Sequence, residues 1–266
     1  MVPDLSVVVP MYNEFDRMRE PLLEIGKYFA AQCYASEIVL VNDGSADETL
    51  ALACEIAPLL GVSTRVFHYD KNRGKGYALK VGFAQAQGER ILFTDIDLST
   101  PIEYTARLLS ALDSGAGMAI GTRKQPDAEV TVHQPWYRES MGRVFTALVR
   151  VLFTQVSDVT CGFKLFEGRV GRDIFSRVRV FDWSFDAEVL WIARDRSIEI
   201  QEVPVRWEDK PGTKVRLLQA TMFSLLGLGR ILINGYRGRY EAPAIAEGAE
   251  LAWPRSDTAP ATQNNP

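Results

Sequence analysis

Short apolar runs and helical stretches alternate along the first 120 residues. The runs at 5–9, 37–41, 65–69, 90–93 and 118–120 are rich in Val, Ile, Leu and Phe, and polar or glycine-containing turns bound each of them. Continuous apolar segments of this length predict strands buried on both faces. Helical patterns lie between them, at about 14–31, 47–60, 74–87 with Gly88 as a stop, and 101–112. This alternation predicts βαβ units with right-handed crossovers: an α/β fold with a mostly parallel central sheet flanked by helices.

After about Gly121 the rhythm changes. A helix is expected near 137–153, a strand in "GFKLF", a helix near 185–194, an alternating strand at 198–207 and an apolar helix over about 215–233. We read residues 1–239 as one domain, with a donor half of about 1–121 and an acceptor half of about 122–239. Residues 240–266, rich in Ala, Pro and polar residues without periodicity, are expected to be a disordered tail. A chain of 266 residues with 47% hydrophobic content supports one large core.

In a parallel sheet, ligands bind beyond the carboxyl ends of the strands. The unusual residues gather there: "PMYNE" after the first strand, "NDGSAD" after the second, "DKNRGKG" after the third and "TDIDLS" after the fourth. Neither a GxGxxG nor a GxxxxGK[ST] pattern is present, so dinucleotide and Walker sites are set aside. The crevice still suits a nucleoside diphosphate. Glu14 and Asp43 offer acceptors for a base and ribose, Arg73 and Lys75 offer charge to a pyrophosphate, and Gly74 and Gly76 permit close backbone approach. The same loop also reads as an ordinary helix start with solvated charges. Asp95 and Asp97 have two readings as well. They form a Mg2+ or Mn2+ site together with diphosphate oxygens, or they finish a turn before a helix capped by Thr100, with Pro101 at the first position and Glu103 at the third.

Charge and cysteine content narrow the class further. A net charge of −4 and a pI near 5.4 exclude a general nucleic-acid binder. Basic residues nonetheless outnumber acidic ones in 136–179 and 206–239, where an anionic ligand or an acidic membrane surface would be met. Cys33, Cys54 and Cys161 lack CxxC spacing and the only histidines are His68 and His133, which argues against a disulfide scaffold or a zinc site. The start, "MVPDLSVVVPMYNE", reads as a strand entering the fold, and a cytosolic protein is expected.

Taken together, "SVVVPMYNE", "VNDGSADET", "NRGKGYALKVG", "LFTDIDLSTP", "IGTR", "DVTCGFKLF", "FDAEVLWIA" and "EVPVRWEDKPGTKV" resemble family 2 glycosyltransferases of GT-A fold, in the dolichyl- or polyprenyl-phosphate β-glucosyltransferase branch. The resemblance implies an inverting transfer of a hexose, glucose before mannose, from a nucleotide sugar, UDP-glucose before GDP-mannose, to a polyprenyl phosphate. It implies nucleoside contacts from Pro10, Tyr12, Glu14 and Asp43, diphosphate contact from Lys75, and Mg2+ or Mn2+ on Asp95 and Asp97, with Ser99 nearby. Arg123 and Arg138 correspond to a pair gripping the acceptor phosphate. Asn42 and Ile96 depart from the pattern, the latter where a small residue is usual, which narrows the donor pocket. A phosphate acceptor is already ionised, so positioning and charge stabilisation replace a strong base. Asp186 and Glu188 are candidates to orient the acceptor or a basic partner, and Lys164, Lys210 and Lys214 are candidates to neutralise phosphates, with a plain surface lysine the simpler reading of each. A non-lipid acceptor and a silent nucleotide-sugar-binding module are the alternatives.

A lipid acceptor implies contact with the cytoplasmic membrane face. The uncharged run 217–229 is shorter than the roughly 20 apolar residues a spanning helix needs. Peripheral docking by this run and by 142–153, which carries Arg143 and Arg150 on one face, stands beside the reading that both helices pack in the core.

Overall fold

The computed structural model describes residues 2–132, 136–210, 217–244, 246 and 248–254, and the side chains of 136–139 and 217–225 are outside that description. The β-branched runs form β1 (Leu5–Met11), β2 (Ser36–Asp43), β3 (Ser63–Tyr69), β4 (Arg90–Thr94) and β5 (Met118–Thr122). Val7, Val8 and Val9 are all fully buried, as a strand covered on both faces requires. The helices between them are α1 (Arg19–Ala30), α2 (Thr49–Ile56) with a 3-10 turn at Ala57–Leu59, α3 (Lys75–Gln85) and α4 (Thr105–Asp113).

The second half contributes β6 (Glu129–Val132), α5 (Trp136–Leu152), β7 (Phe163–Glu167), α6 (Gly168–Arg177), α7 (Phe185–Asp195), β8 (Ile200–Pro204), β9 (Arg206–Glu208) and α8 (Leu217–Tyr236). Helix α6 begins on Gly168 after Glu167, and the sequence pattern did not suggest it. The single strand expected at 198–207 is two strands that separate after Pro204, whose nitrogen cannot donate to a ladder.

The eight-stranded sheet runs β10-β3-β2-β1-β4-β7-β5-β8, where β10 is Glu250–Trp253. It is parallel apart from β7, antiparallel to both β4 and β5, and β10, antiparallel to β3. Residues 250–253, expected to be disordered, therefore form an ordered edge strand. The chain reverses its direction of winding between β1 and β4, which is where ligands bind beyond the strand ends in such a sheet. One core layer packs α1, α2 and α4 on the sheet and the other packs α3, α6 and α7.

The start of α4 differs from the expected capped helix. Its entry is a 3-10 turn at Ile102–Tyr104 preceded by Pro101, with no side-chain cap, and Thr105 Oγ1 bonds back to the Ile102 carbonyl at 2.6 Å. Thr100 is buried and does not cap it.

Candidate active site

The site draws residues from several strand ends and from the start of α7. β4 stops at Thr94, so Asp95 and Asp97 are not on one strand face as an extended chain would place them. They sit in a turn that closes with Leu98 N donating to the Asp95 carbonyl at 3.4 Å and with Leu98 at φ 49°. Asp97 Oδ1 accepts the Ser99 N–H at 3.0 Å. The Asp95 N–H donates to the Gly162 carbonyl at 3.2 Å, which ties this turn to the approach to β7. A Cβ on Gly162 would lie 1.9 Å from Asp95 Oδ2, so only a glycine leaves room for the carboxylate.

Lys75 Nζ lies 2.5 Å from Asp95 Oδ1, over the rings of Phe93 and Phe185. Burial pulls its pKa down, yet the charges of Asp95, Asp186 and Asp97 outweigh burial and hold it above its ordinary value. Burial pushes Asp95 up, Lys75 opposes that shift, and Asp97 reinforces it. Two neighbouring carboxylates so placed favour a cation. In this structure the Lys75 ammonium fills that role on Asp95, so the donor set fits a hard divalent ion sharing the site with diphosphate oxygens. Among the described residues no cluster of three or more acidic, histidine or cysteine ligands exists, so the chain supplies at most these two carboxylates at one point.

Asp186, at the start of α7, lies 2.5 Å from Lys164 Nζ, which also donates to the Cys161 carbonyl at 2.5 Å. Lys164, expected on the surface, is almost fully buried. Lys164 and Asp186 form a buried ion pair. Glu188 instead accepts the N–H groups of Arg179 at 3.0 Å and Val180 at 2.8 Å, together with the Tyr240 hydroxyl at 2.6 Å. That fixes segment 179–181, on which the glycine loop rests. Gly76 N donates to the Phe181 carbonyl at 3.1 Å. Gly74 has φ 98°, and a Cβ there would lie 2.3 Å from the same oxygen.

Other expected residues have partners that the sequence did not show. Asp43 is buried and accepts four hydrogen bonds: Tyr69 Oη at 2.7 Å, Asn72 Nδ2 at 2.8 Å, Arg73 N at 2.8 Å and Gly74 N at 3.0 Å. A carboxylate has about four acceptor sites, so Asp43 clamps the loop, and a ribose contact requires one of these bonds to open. Burial raises its pKa in spite of them. Glu14 is paired in a fork with Arg17, whose Nη2 is 2.8 Å from Oε1. Arg17, absent from the sequence reading, is held above its ordinary pKa by Glu14 first and also by Asp97 and Asp95, so it borders the acidic turn. Pro10, next to last in β1, is half-buried, and Tyr12 just beyond the strand is 42% exposed. Arg73 stacks 3.6 Å over Tyr77.

Arg123 forms a bidentate pair with the fully buried Asp158, Nε to Oδ2 at 2.6 Å and Nη2 to Oδ1 at 2.7 Å, and Nη2 also reaches Thr160 Oγ1 at 3.0 Å. Its planar group lies 5.0 Å from the Trp207 ring. Desolvation would lower its pKa, but Asp158 and, more weakly, Asp186 raise it, so the guanidinium stays charged within reach of the site. The Arg138 side chain lies outside the described residues.

A glycosyl transferase family 2 model matches residues 6–175. The chain is a family 2 glycosyltransferase. It is 32% identical over 86% of its length to the dolichyl-phosphate β-glucosyltransferases of Drosophila melanogaster and Homo sapiens, covering 73% and 74% of those proteins. The Saccharomyces cerevisiae dolichyl-phosphate β-glucosyltransferase is also 32% identical, over 80% of this chain and 69% of that protein. Among solved structures, glucosyl-3-phosphoglycerate synthase from Mycobacterium tuberculosis, in complex with uridine-diphosphate, aligns at a TM-score of 0.62 and 19% identity, over 91% of this chain and 81% of that one. The same enzyme with Mn2+ and uridine-diphosphate-glucose aligns at 0.59 and 17%, over 91% and 80%. These likenesses establish the GT-A fold for this glycosyltransferase.

Proposed function

We propose that this glycosyltransferase moves glucose from UDP-glucose to a dolichyl or polyprenyl phosphate, with inversion at the anomeric carbon, at the cytoplasmic face of a membrane. The observation that carries the reading is the Lys75–Asp95 pair at the switch point of the sheet, with Asp97 and Asp186 in the same field. Relatives at 32% identity, named dolichyl-phosphate β-glucosyltransferases, support the choice of sugar and acceptor.

Asp95 and Asp97 would hold Mg2+ or Mn2+, which stabilises negative charge on the departing nucleoside diphosphate. Lys75 is released from Asp95 to meet the diphosphate, and Arg17 stands at the edge of the same field. Tyr12 and Pro10 border the nucleoside. Arg123, made rigid by Asp158, would grip the acceptor phosphate, and Arg138 is the second arginine we assign to it from the sequence. An acceptor oxygen that is already anionic attacks without losing a proton, so Asp186, neutralised by Lys164, shapes the field and takes up no proton.

The deciding experiment measures transfer of labelled sugar from UDP-glucose, and separately from GDP-mannose, into solvent-extractable polyprenyl-phosphate product, with Mg2+ or Mn2+ and with a chelator. Chelator-sensitive product from UDP-glucose is expected. Product from GDP-mannose alone would replace the donor. UDP binding without lipid product from either sugar would refute the acceptor.

A further inference from the structure

A second, separate cleft of about 500 Å3 lies where segment 179–182 meets the C-terminal half of α8, and Arg179, Asp182, Arg230, Ile233, Asn234 and Arg239 line it. Three guanidinium groups face one carboxylate, in a chain whose net charge is −4. None of the residues assigned above to the donor, the metal or the acceptor is among them.

Arg179 and Arg239 are held by neutral acceptors, and those bonds do not cancel their charge. Arg179 donates from Nε to the Arg239 carbonyl at 2.9 Å and from Nη2 to the Ala242 carbonyl at 3.2 Å. Arg239 Nη1 is 3.4 Å from Oδ1 of the mostly buried Asn234. Arg230, 61% exposed, stands at the rim 3.6 Å from Asp182. Guanidinium groups gathered in this way match the oxygens of a phosphate, and the volume is in the range of sites that enclose small ligands.

What distinguishes this cleft from a site for a soluble anion is the surface around it. Leu226, Arg230 and Ile233 are spaced i, i+4, i+7, so one stripe of α8 carries the rim arginine between two apolar side chains that are 54% and 51% exposed. Tyr236, less than a turn further on, is 93% exposed. Helix α5 packs beside α8 and leaves Val144, Leu148 and Val151 exposed. Exposed apolar groups that border a cationic cleft fit an amphiphile. Among the described residues no helix is long and apolar enough to cross a membrane.

We propose that this cleft binds the phosphate headgroup of an anionic membrane lipid, while the stripe of α8 lies against the lipid's apolar region. It is a docking site distinct from the crevice where sugar is transferred.

The test is cosedimentation of the full chain with phosphatidylcholine vesicles, with and without about 30% phosphatidylglycerol. The variants are Arg230→Gln/Arg239→Gln and, for comparison, Arg143→Gln/Arg150→Gln on α5. The wild type should bind the anionic vesicles about tenfold more tightly than the neutral ones, and Arg230→Gln/Arg239→Gln should remove most of that difference with its melting temperature unchanged. Arg230→Lys keeps the charge at the rim and should retain most of the preference for anionic vesicles. Equal binding by wild type and Arg230→Gln/Arg239→Gln would overturn the proposal, as would a loss confined to the α5 variant. If inorganic phosphate binds the wild type and not the double variant while vesicle binding is equal, the ligand is a soluble phosphate and the lipid assignment fails. The assay needs no sugar donor, so it decides the role of the cleft whatever the transfer assay shows.

Discussion

Gly162 decides where Asp95 can stand. Its missing side chain is the space that Asp95 Oδ2 occupies, and Gly162→Ala must push the carboxylate away from the turn. We expect that variant to fold and to lose about 100-fold in kcat/KM, because displacements of an ångström at a reacting centre have effects of that size. Asp97→Asn is expected to abolish turnover and leave the melting temperature near wild type; activity close to wild type would remove the metal from that position. Glu188 provides a pH test. Burial first, against its hydrogen bonds from Tyr240, Val180 and Arg179, lifts its pKa from 4.5 to about 7. Between those values the unfolded chain releases the proton and the folded chain keeps it, so stability declines as pH rises through that window, and the full cost is present above about 7. Glu188→Gln should flatten this part of the profile. Relative to wild type it should gain about 2 to 3 kcal/mol between pH 4.5 and 7.5, read from denaturant midpoints.

At the level of elements, the loop between β3 and α3 owes its shape to a residue on β2. Asp43 binds two side chains and two backbone N–H groups across that loop. Asp43→Ala leaves buried donors unpaired. It should cost about 3 kcal/mol of stability, and UDP affinity should fall in parallel as Lys75 loses its fixed base. Unchanged UDP affinity in a destabilised variant would show that Lys75 is positioned from the α7 side alone, through Glu188 and Phe181. The four strand-end motifs were legible because each polar cluster interrupts an apolar run. Their partners were not legible: Asp158 for Arg123, Arg17 for Glu14 and Lys164 for Asp186 are 35, 3 and 22 residues away, and only the fold brings the distant ones together. The expected cap at Thr100 failed because Pro101 and a 3-10 turn replaced the first α-helical turn.

Across the whole molecule, β10 returns from the end of the chain to cover the edge of β3, with Glu250 opposite His68 and Leu251 opposite Phe67. An uncovered strand edge is a template for pairing with another chain. A chain ending at residue 248 should melt several degrees lower. It should also self-associate in sedimentation velocity at concentrations where the full chain does not; identical behaviour of the two would mean that β10 is not needed to protect the edge. Composition alone pointed away from order here, because Ala and Pro content says nothing of a pairing of Glu250 with His68 and of Leu251 with Phe67, far apart in sequence.

Local sequence determined the alternation of strand and helix, the placement of polar motifs at the strand ends, and the pair of aspartates after β4, since these depend on apolar periodicity and on turn chemistry within a few residues. It also carried the family, because the motifs are contiguous. The tertiary structure decided which charges neutralise each other, which carboxylate is free and which is committed, and where the arginines of α8 and segment 179–182 gather. Those outcomes depend on burial and on contacts between residues far apart in the chain, which no short window of sequence contains.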